Sequence, residues 1–196
     1  MKTSTTILTV LAALTVNLFA AGAAQANECA LPIVGETHLL RSHDTGDYVQ
    51  NNGGVAVTDA ISNLADAQLE IVPGLLDPSK VSLRLASDPT RYLAVTSGSS
   101  LEVGLFTDDG TAAFDLRATF EIMPGMTTGD CNYTGVSLRW HYAHQLGQEY
   151  YLTLGGSGDG SRPLYVYPQA PNQAAKPSEQ TFAIDFQEHT GPICAP

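Results

Sequence analysis

The chain has 196 residues, 43% of them hydrophobic, with 9 basic and 20 acidic side chains and a formal net charge of −11. That balance excludes nucleic acid and anionic membrane surfaces as partners, because no cationic face exists to release counterions. The length is enough for one domain with one sizeable core.

The first element is a leader. Met1–Ala26 holds one basic residue, Lys2, then the apolar run Ile7–Ala24 and the small-x-small site Ala24-Gln25-Ala26. This is the pattern of a signal peptide cut after Ala26. An uncleaved membrane anchor competes with it, but the run is rich in Ala and Thr and the cleavage site is well formed. Residues 27–196 are therefore expected as a secreted single domain with no membrane attachment after cleavage. Cys29, Cys131 and Cys194 all fall in this part, and an oxidising compartment favours one disulfide. Three pairings are open. Cys29–Cys194 is favoured because both lie near the ends, and it would stabilise by about 3–5 kcal/mol through loop closure. Cys131 then reads as a small hydrophobe.

From His38 onward the chain reads as short alternating runs separated by turn formers, which is strand punctuation. The second group is the clearest: Val81–Leu85, Tyr92–Val95, Leu101–Phe106 and Ala118–Met123, broken at Asp88-Pro89, Ser97-Gly98 and Asp108-Asp109-Gly110. The first group runs in the same order. Leu39-Leu40-Arg41 matches Ser82-Leu83-Arg84, Asp47-Tyr48-Val49 matches Arg91-Tyr92-Leu93, and Leu69–Leu75 matches Phe120–Met126. A third follows with Ser137-Leu138-Arg139, Glu149–Leu152, Leu164-Tyr165-Val166 and Gln180–Phe186. The units span about 38–76, 81–127 and 136–187. A helical turn fits between the third and fourth strands, at Thr58–Leu69 and Gly110–Arg117. Ser157–Pro163 and Pro168–Pro177 read as exposed loops inserted in the third unit. Three four-strand units in one domain predict an all-β chain closed about a pseudo-threefold axis, a β-trefoil. A three-bladed propeller and a β-sandwich with chance repeats are the alternatives.

The order Ser-Leu-Arg, Pro-Thr-Arg-Tyr-Leu (Pro89–Leu93), Leu-x-Val, Ala-Thr-Phe (Ala118–Phe120) and Pro-Gly resembles the arabinofuranose-binding module, the AbfB-type β-trefoil domain of α-L-arabinofuranosidases (carbohydrate-binding module family 42-like). The resemblance covers nearly all of Leu39–Phe186. It implies a non-catalytic domain whose units hold furanose hydroxyls with a His just past the Tyr strand and an Asp just before the fourth strand. Here the His position is taken by Asn51, Val95 and Leu154, and the Asp position by Asp66, Arg117 and Glu179. Asp66 with Asn51 and Tyr48, and Glu179 with Tyr151, are the candidate pockets. The second unit, with Val95 and Arg117, lacks both groups.

A sugar site also wants an aromatic face. Trp140 and Tyr142 lie in what reads as a long turn, Trp140–Glu149, and Trp140 is a candidate platform. Tyr151 and Tyr165 lie within strands, where core packing is favoured. His141 and His144 are spaced i, i+3 but lack a third ligand, so no metal is expected. No cofactor is expected either. No Gly-x-Ser-x-Gly or catalytic Cys motif is present, and Asn132-Tyr133-Thr134 is a glycosylation sequon. The expectation is a secreted, monomeric, non-enzymatic protein that binds arabinose-containing or other cell-wall polysaccharide. The alternative is a secreted β-trefoil that binds protein, as a protease inhibitor or effector, with its sugar sites degenerated.

Overall fold

The structure, a computed structural model, describes residues 34–97, 100–124, 135–156, 161–168 and 177–186. The leader Met1–Ala26, the Cys29–Cys194 bridge, Cys131 and the Asn132 sequon fall outside the described residues. Within them, alternation sets the strands. In β4 (Gln68–Pro73) Leu69 and Ile71 are buried while Glu70 faces out, and in β5 (Val81–Leu85) Leu83 and Leu85 are buried while Arg84 faces out. Strand residues two apart share a face, so each run supplies one apolar side.

The other strands are β1 (Thr37–Ser42), β2 (Tyr48–Asn52), β3 (Val55–Asp59), β6 (Asp88–Val95), β7 (Val103–Thr107), β8 (Phe120–Pro124), β9 (Val136–Trp140), β10 (Tyr150–Leu154), β11 (Arg162–Pro168) and β12 (Phe182–Phe186). All pair antiparallel. Six of them close a ring: β1–β4–β5–β8–β9–β12 and back to β1. The hairpins β2–β3, β6–β7 and β10–β11 hang from β1, β5 and β9. They also touch one another, through Val55↔Gly104, Arg162↔Thr58 and the isolated bridge Glu102↔Tyr165. Closing the ring this way leaves its strands no open edge.

One core fills the ring and its cap. Leu40, Leu69, Leu83, Leu93, Phe120, Leu138, Leu152, Leu164 and Phe182 all belong to it. A side cluster of Val72, Tyr92, Ala94, Phe114 and Ala118 sits under a short helix. Buried serine hydroxyls tie β5 and β9 to the turns that precede their partner strands, β8 and β12. Ser82 Oγ donates to the Ala118 carbonyl at 2.7 Å, and Ser137 Oγ donates to the Gln180 carbonyl at 2.7 Å. This accounts for the serine in both Ser-Leu-Arg triplets.

Helical turns form before the fourth strands as expected: α1 (Leu64–Ala67) before β4 and α2 (Ala112–Ala118) before β8. Pro177–Gln180 makes a 3₁₀ turn before β12. Three expectations need correction. β8 starts at Phe120 and not Ala118, because Thr111 caps a helix that runs through Ala118, its Oγ1 accepting from Phe114 N at 3.1 Å. β7 starts at Val103, because Leu101 adopts φ +53 and breaks the strand. Trp140–Glu149 is not one long turn: Trp140 ends β9, and α3 (His141–Gln145) follows.

Candidate functional site

Each short helical segment lies against the first strand of a hairpin: α1 on β2, α2 on β6, and the 3₁₀ turn on β10. The three junctions make three corners, and these are where the sequence put the candidate residues. In the first corner Asn51 sits at the hairpin tip. Its Oδ1 accepts from Gly54 N at 3.0 Å, so the side chain holds the turn. Asp66, in α1, accepts from Asn63 Nδ2 at 2.7 Å at the surface, while Asn63 Oδ1 caps the helix through Ala65 N. Tyr48 is half-buried in β2, in register with Arg41 on one side and Asp59 on the other.

The second corner is filled from within. Arg117 Nη1 donates to the Val95 carbonyl at 3.0 Å, and the guanidinium lies 5.2 Å from the Phe114 ring centre. The third is filled by a residue from another element. Arg162, only 6% exposed, donates to the Gly155 and Gly156 carbonyls at 3.0 and 2.7 Å, and Asp44 and Glu179 flank it at 2.8 and 3.3 Å. Ser178 Oγ donates to the other Asp44 oxygen. Glu179 is therefore at the expected place beside the end of β10, with its carboxylate against a guanidinium. Leu154 is in the core. Arg162 had no signal in the sequence, since it sits at the edge of a Gly-rich loop far from Glu179.

Tyr151 belongs to a different feature. Rows of directly opposed residues cross the outer face of the sheet: Glu70, Arg84, Tyr92 and Phe106 on β4 to β7, and Glu121, Arg139, Tyr151 and Tyr167 on β8 to β11. A third row runs Ala183, Arg41, Tyr48, Asp59. The repeated Arg and Tyr of the sequence are thus cross-strand neighbours that pack on one another. Tyr151 is 5% exposed and its hydroxyl donates to Glu149 Oε2 at 2.9 Å. Burial and that carboxylate push the phenol up.

The row around Arg139 gathers charge. Arg139 pairs with Glu121 and Glu149, Lys80 Nζ lies 2.7 Å from Glu121, and His141 Nδ1 lies 3.2 Å from Glu121. His144 Nδ1 lies 2.9 Å from Glu149. Burial pushes the Glu121 carboxyl up, but the hydrogen bonds from Lys80 and Arg139 outweigh it and bring it down to about 2. Glu149 is also raised by burial and lowered more by Arg139, Tyr151 and His144, ending below the usual range. Both histidines are thus tied to carboxylates, and among the described residues no group of three His, Cys, Asp or Glu converges as metal ligands do. Trp140 is half-buried. Its Nε1 donates to the Leu116 carbonyl at 2.9 Å, and its ring meets Tyr142 and Tyr150 edge-on at 5.6 and 6.4 Å.

The six-strand ring capped by three hairpins defines a β-trefoil-like all-β fold, and solved structures agree. An arabinofuranosidase complexed with arabinofuranosyl-α-1,2-xylobiose superposes with a TM-score of 0.61 at 20% identity, over 80% of this chain and 32% of that one. A ricin B-like lectin of Macrolepiota procera, in complex with lactose, gives 0.59 at 15% identity over 80% and 99%. The Rhizoctonia solani agglutinin gives 0.55 at 13% identity over 81% and 99%. The chain spans about a third of the length of the arabinofuranosidase. No curated protein matches it. The family model described as alpha-L-arabinofuranosidase B (ABFB) domain matches residues 37–183, and the chain belongs to that family.

Proposed function

We propose that this protein is a secreted, non-catalytic carbohydrate-binding module, a β-trefoil of three four-stranded units (38–76, 81–127 and 136–187) in a single domain, 27–196. Its ligand is arabinofuranose-decorated or other cell-wall polysaccharide. Family membership over 37–183 supports the carbohydrate class, and the matched region being the ABFB domain alone supports the absence of catalysis. The observation that carries the site is the contrast between corners. Arg117 and Arg162 fill the second and third, while in the first the Asp66 carboxylate stands at the surface, bonded among the described residues to Asn63. A carboxylate oxygen with spare lone pairs is what a pair of sugar hydroxyls needs.

One working corner binds weakly, because no second corner adds avidity. Calorimetric titration with arabinofuranosyl-substituted xylo-oligosaccharide is expected to give a millimolar affinity that Asp66→Ala weakens about tenfold, the scale of one charged hydrogen bond. Failure of the wild type to bind any neutral glycan at millimolar concentration refutes the function. Unchanged affinity in Asp66→Ala refutes only the site. The two guanidinium-filled corners favour, as a second reading, a trefoil that binds protein. Inhibition of a protease by the purified chain, with no sugar binding, selects that reading.

A further inference from the structure

Away from the corners, one part of the outer face carries chemistry that the fold does not consume. In β11, Leu164 and Val166 point into the core, so Tyr165 and Tyr167 point outward. Their rings lie 5.7 Å apart and are tilted by 36°. Tyr167 is 41% exposed. Opposite Tyr165 lies Glu102, in an antiparallel bridge. Directly opposed residues share a face, with Cβ atoms about 5 Å apart, so the carboxylate stands beside the ring pair. Glu102 is half-buried, and among the described residues neither its carboxylate nor either tyrosine hydroxyl has a hydrogen-bond partner. A carboxylate without a protein donor keeps its lone pairs open to a ligand's hydroxyls.

Two further features fix this arrangement. Leu101 has a φ of +53, a left-handed conformation unusual and strained for a leucine. Its carbonyl accepts from Val166 N at 2.9 Å, which clamps the Leu101–Glu102 segment onto β11. Behind the platform, a Cβ on Gly155 would lie 2.2 Å from Tyr165 Cε2, so the ring packs directly on the Gly155 backbone. Backbone strain held by the surrounding structure is a signature of functional sites, and a platform fixed in advance loses little entropy on binding.

We propose that Glu102, Tyr165 and Tyr167 form a second saccharide site, separate from the corner at Asp66. It rests on the carbohydrate-binding function proposed above. The ligand is a neutral sugar ring, its C–H face against Tyr167 and adjacent hydroxyls donating to Glu102. A uronate or sulfated sugar is disfavoured by the carboxylate and by a net charge of −11.

The test is two-dimensional NMR of the isotope-labelled chain, titrated separately with arabinofuranosyl-substituted xylo-oligosaccharide and with lactose. With at least one of them, the amides of Glu102, Tyr165 and Tyr167 are expected to shift together along one binding curve. Tyr167→Ala weakens that curve about tenfold, the scale of a lost ring contact, and leaves shifts near Asp66 in place. Glu102→Gln, which keeps the fold and one acceptor, weakens it by roughly three- to tenfold. Shifts confined to Asn51–Asp66 overturn this site and leave the carbohydrate function standing. No shift anywhere with either sugar overturns both. Shifts at Tyr167 with an arginine-bearing peptide but with neither sugar overturn the saccharide assignment.

Discussion

Glu121→Gln tests the charge row most directly. Glu121 is 6% exposed and lies between Lys80, Arg139 and His141. Its carboxyl sits at about 2 in the folded protein against an ordinary 4.5. A depressed folded value stabilises the fold above the unfolded pKa, and that stability is lost as pH falls through the folded one. The difference amounts to about 3 kcal/mol in full, of which about 2 kcal/mol is already lost at pH 3. Glutamine keeps the volume and removes the charge. At pH 7 the variant is expected to be less stable by roughly 2–4 kcal/mol, since Arg139 and Lys80 lose a buried counter-charge. It also lacks this acid loss, so the gap to wild type closes by about 2 kcal/mol between pH 7 and pH 3. Urea unfolding, followed by the fluorescence of the single tryptophan, Trp140, at pH 7, 5 and 3, measures it. A gap that stays constant across that range refutes the reasoning.

Three further outcomes follow from the packing. Ser82→Ala removes a buried hydroxyl that donates to Ala118 O and accepts from Leu75 N at 3.1 Å; a loss of about 1–3 kcal/mol is expected in thermal or urea unfolding. Gly104→Ala places a Cβ 2.5 Å from the Gly54 carbonyl and 2.6 Å from Phe106 Cζ, and overpacking there should cost about 2–3 kcal/mol, read as a lower denaturation midpoint. Arg162→Met strips the guanidinium from between Asp44 and Glu179, with an expected loss of about 3–5 kcal/mol in calorimetric unfolding.

The strands were legible because their alternation is short-range. Val81–Leu85 appears in the structure with the bounds that its apolar pattern marks. What alternation cannot carry is a single backbone angle. Leu101 looks like the start of a strand, yet its left-handed φ moves the start to Val103 and turns Glu102 toward β11. α3 escaped for a related reason. Its N-cap, Trp140, makes no side-chain capping bond, so no Ser, Thr, Asp or Asn announces the helix. The candidate site was legible in position and less so in state. Val95 and Arg117 do meet, and Glu179 does stand by the end of β10. The guanidinium that occupies the third corner comes from Arg162, on a different strand, and only the sheet register brings it there. Likewise the sequence puts Tyr48 and Tyr151 in candidate pockets, and register makes them cross-strand partners of Arg41 and Arg139.

The pairing of β1 with β12 has a consequence for how the molecule is made. Five registered pairs, from His38↔Phe186 to Ser42↔Phe182, join the first of the described strands to the last of them, and β12 also bonds β9. During synthesis β1 and β9 emerge long before their common partner. Until it arrives, both present unpaired backbone to any neighbouring chain. Pairing across so long a separation is slow, on the order of milliseconds to seconds for all-β domains. The hazard for this protein is therefore one of timing: the strand that protects both edges appears after both of them.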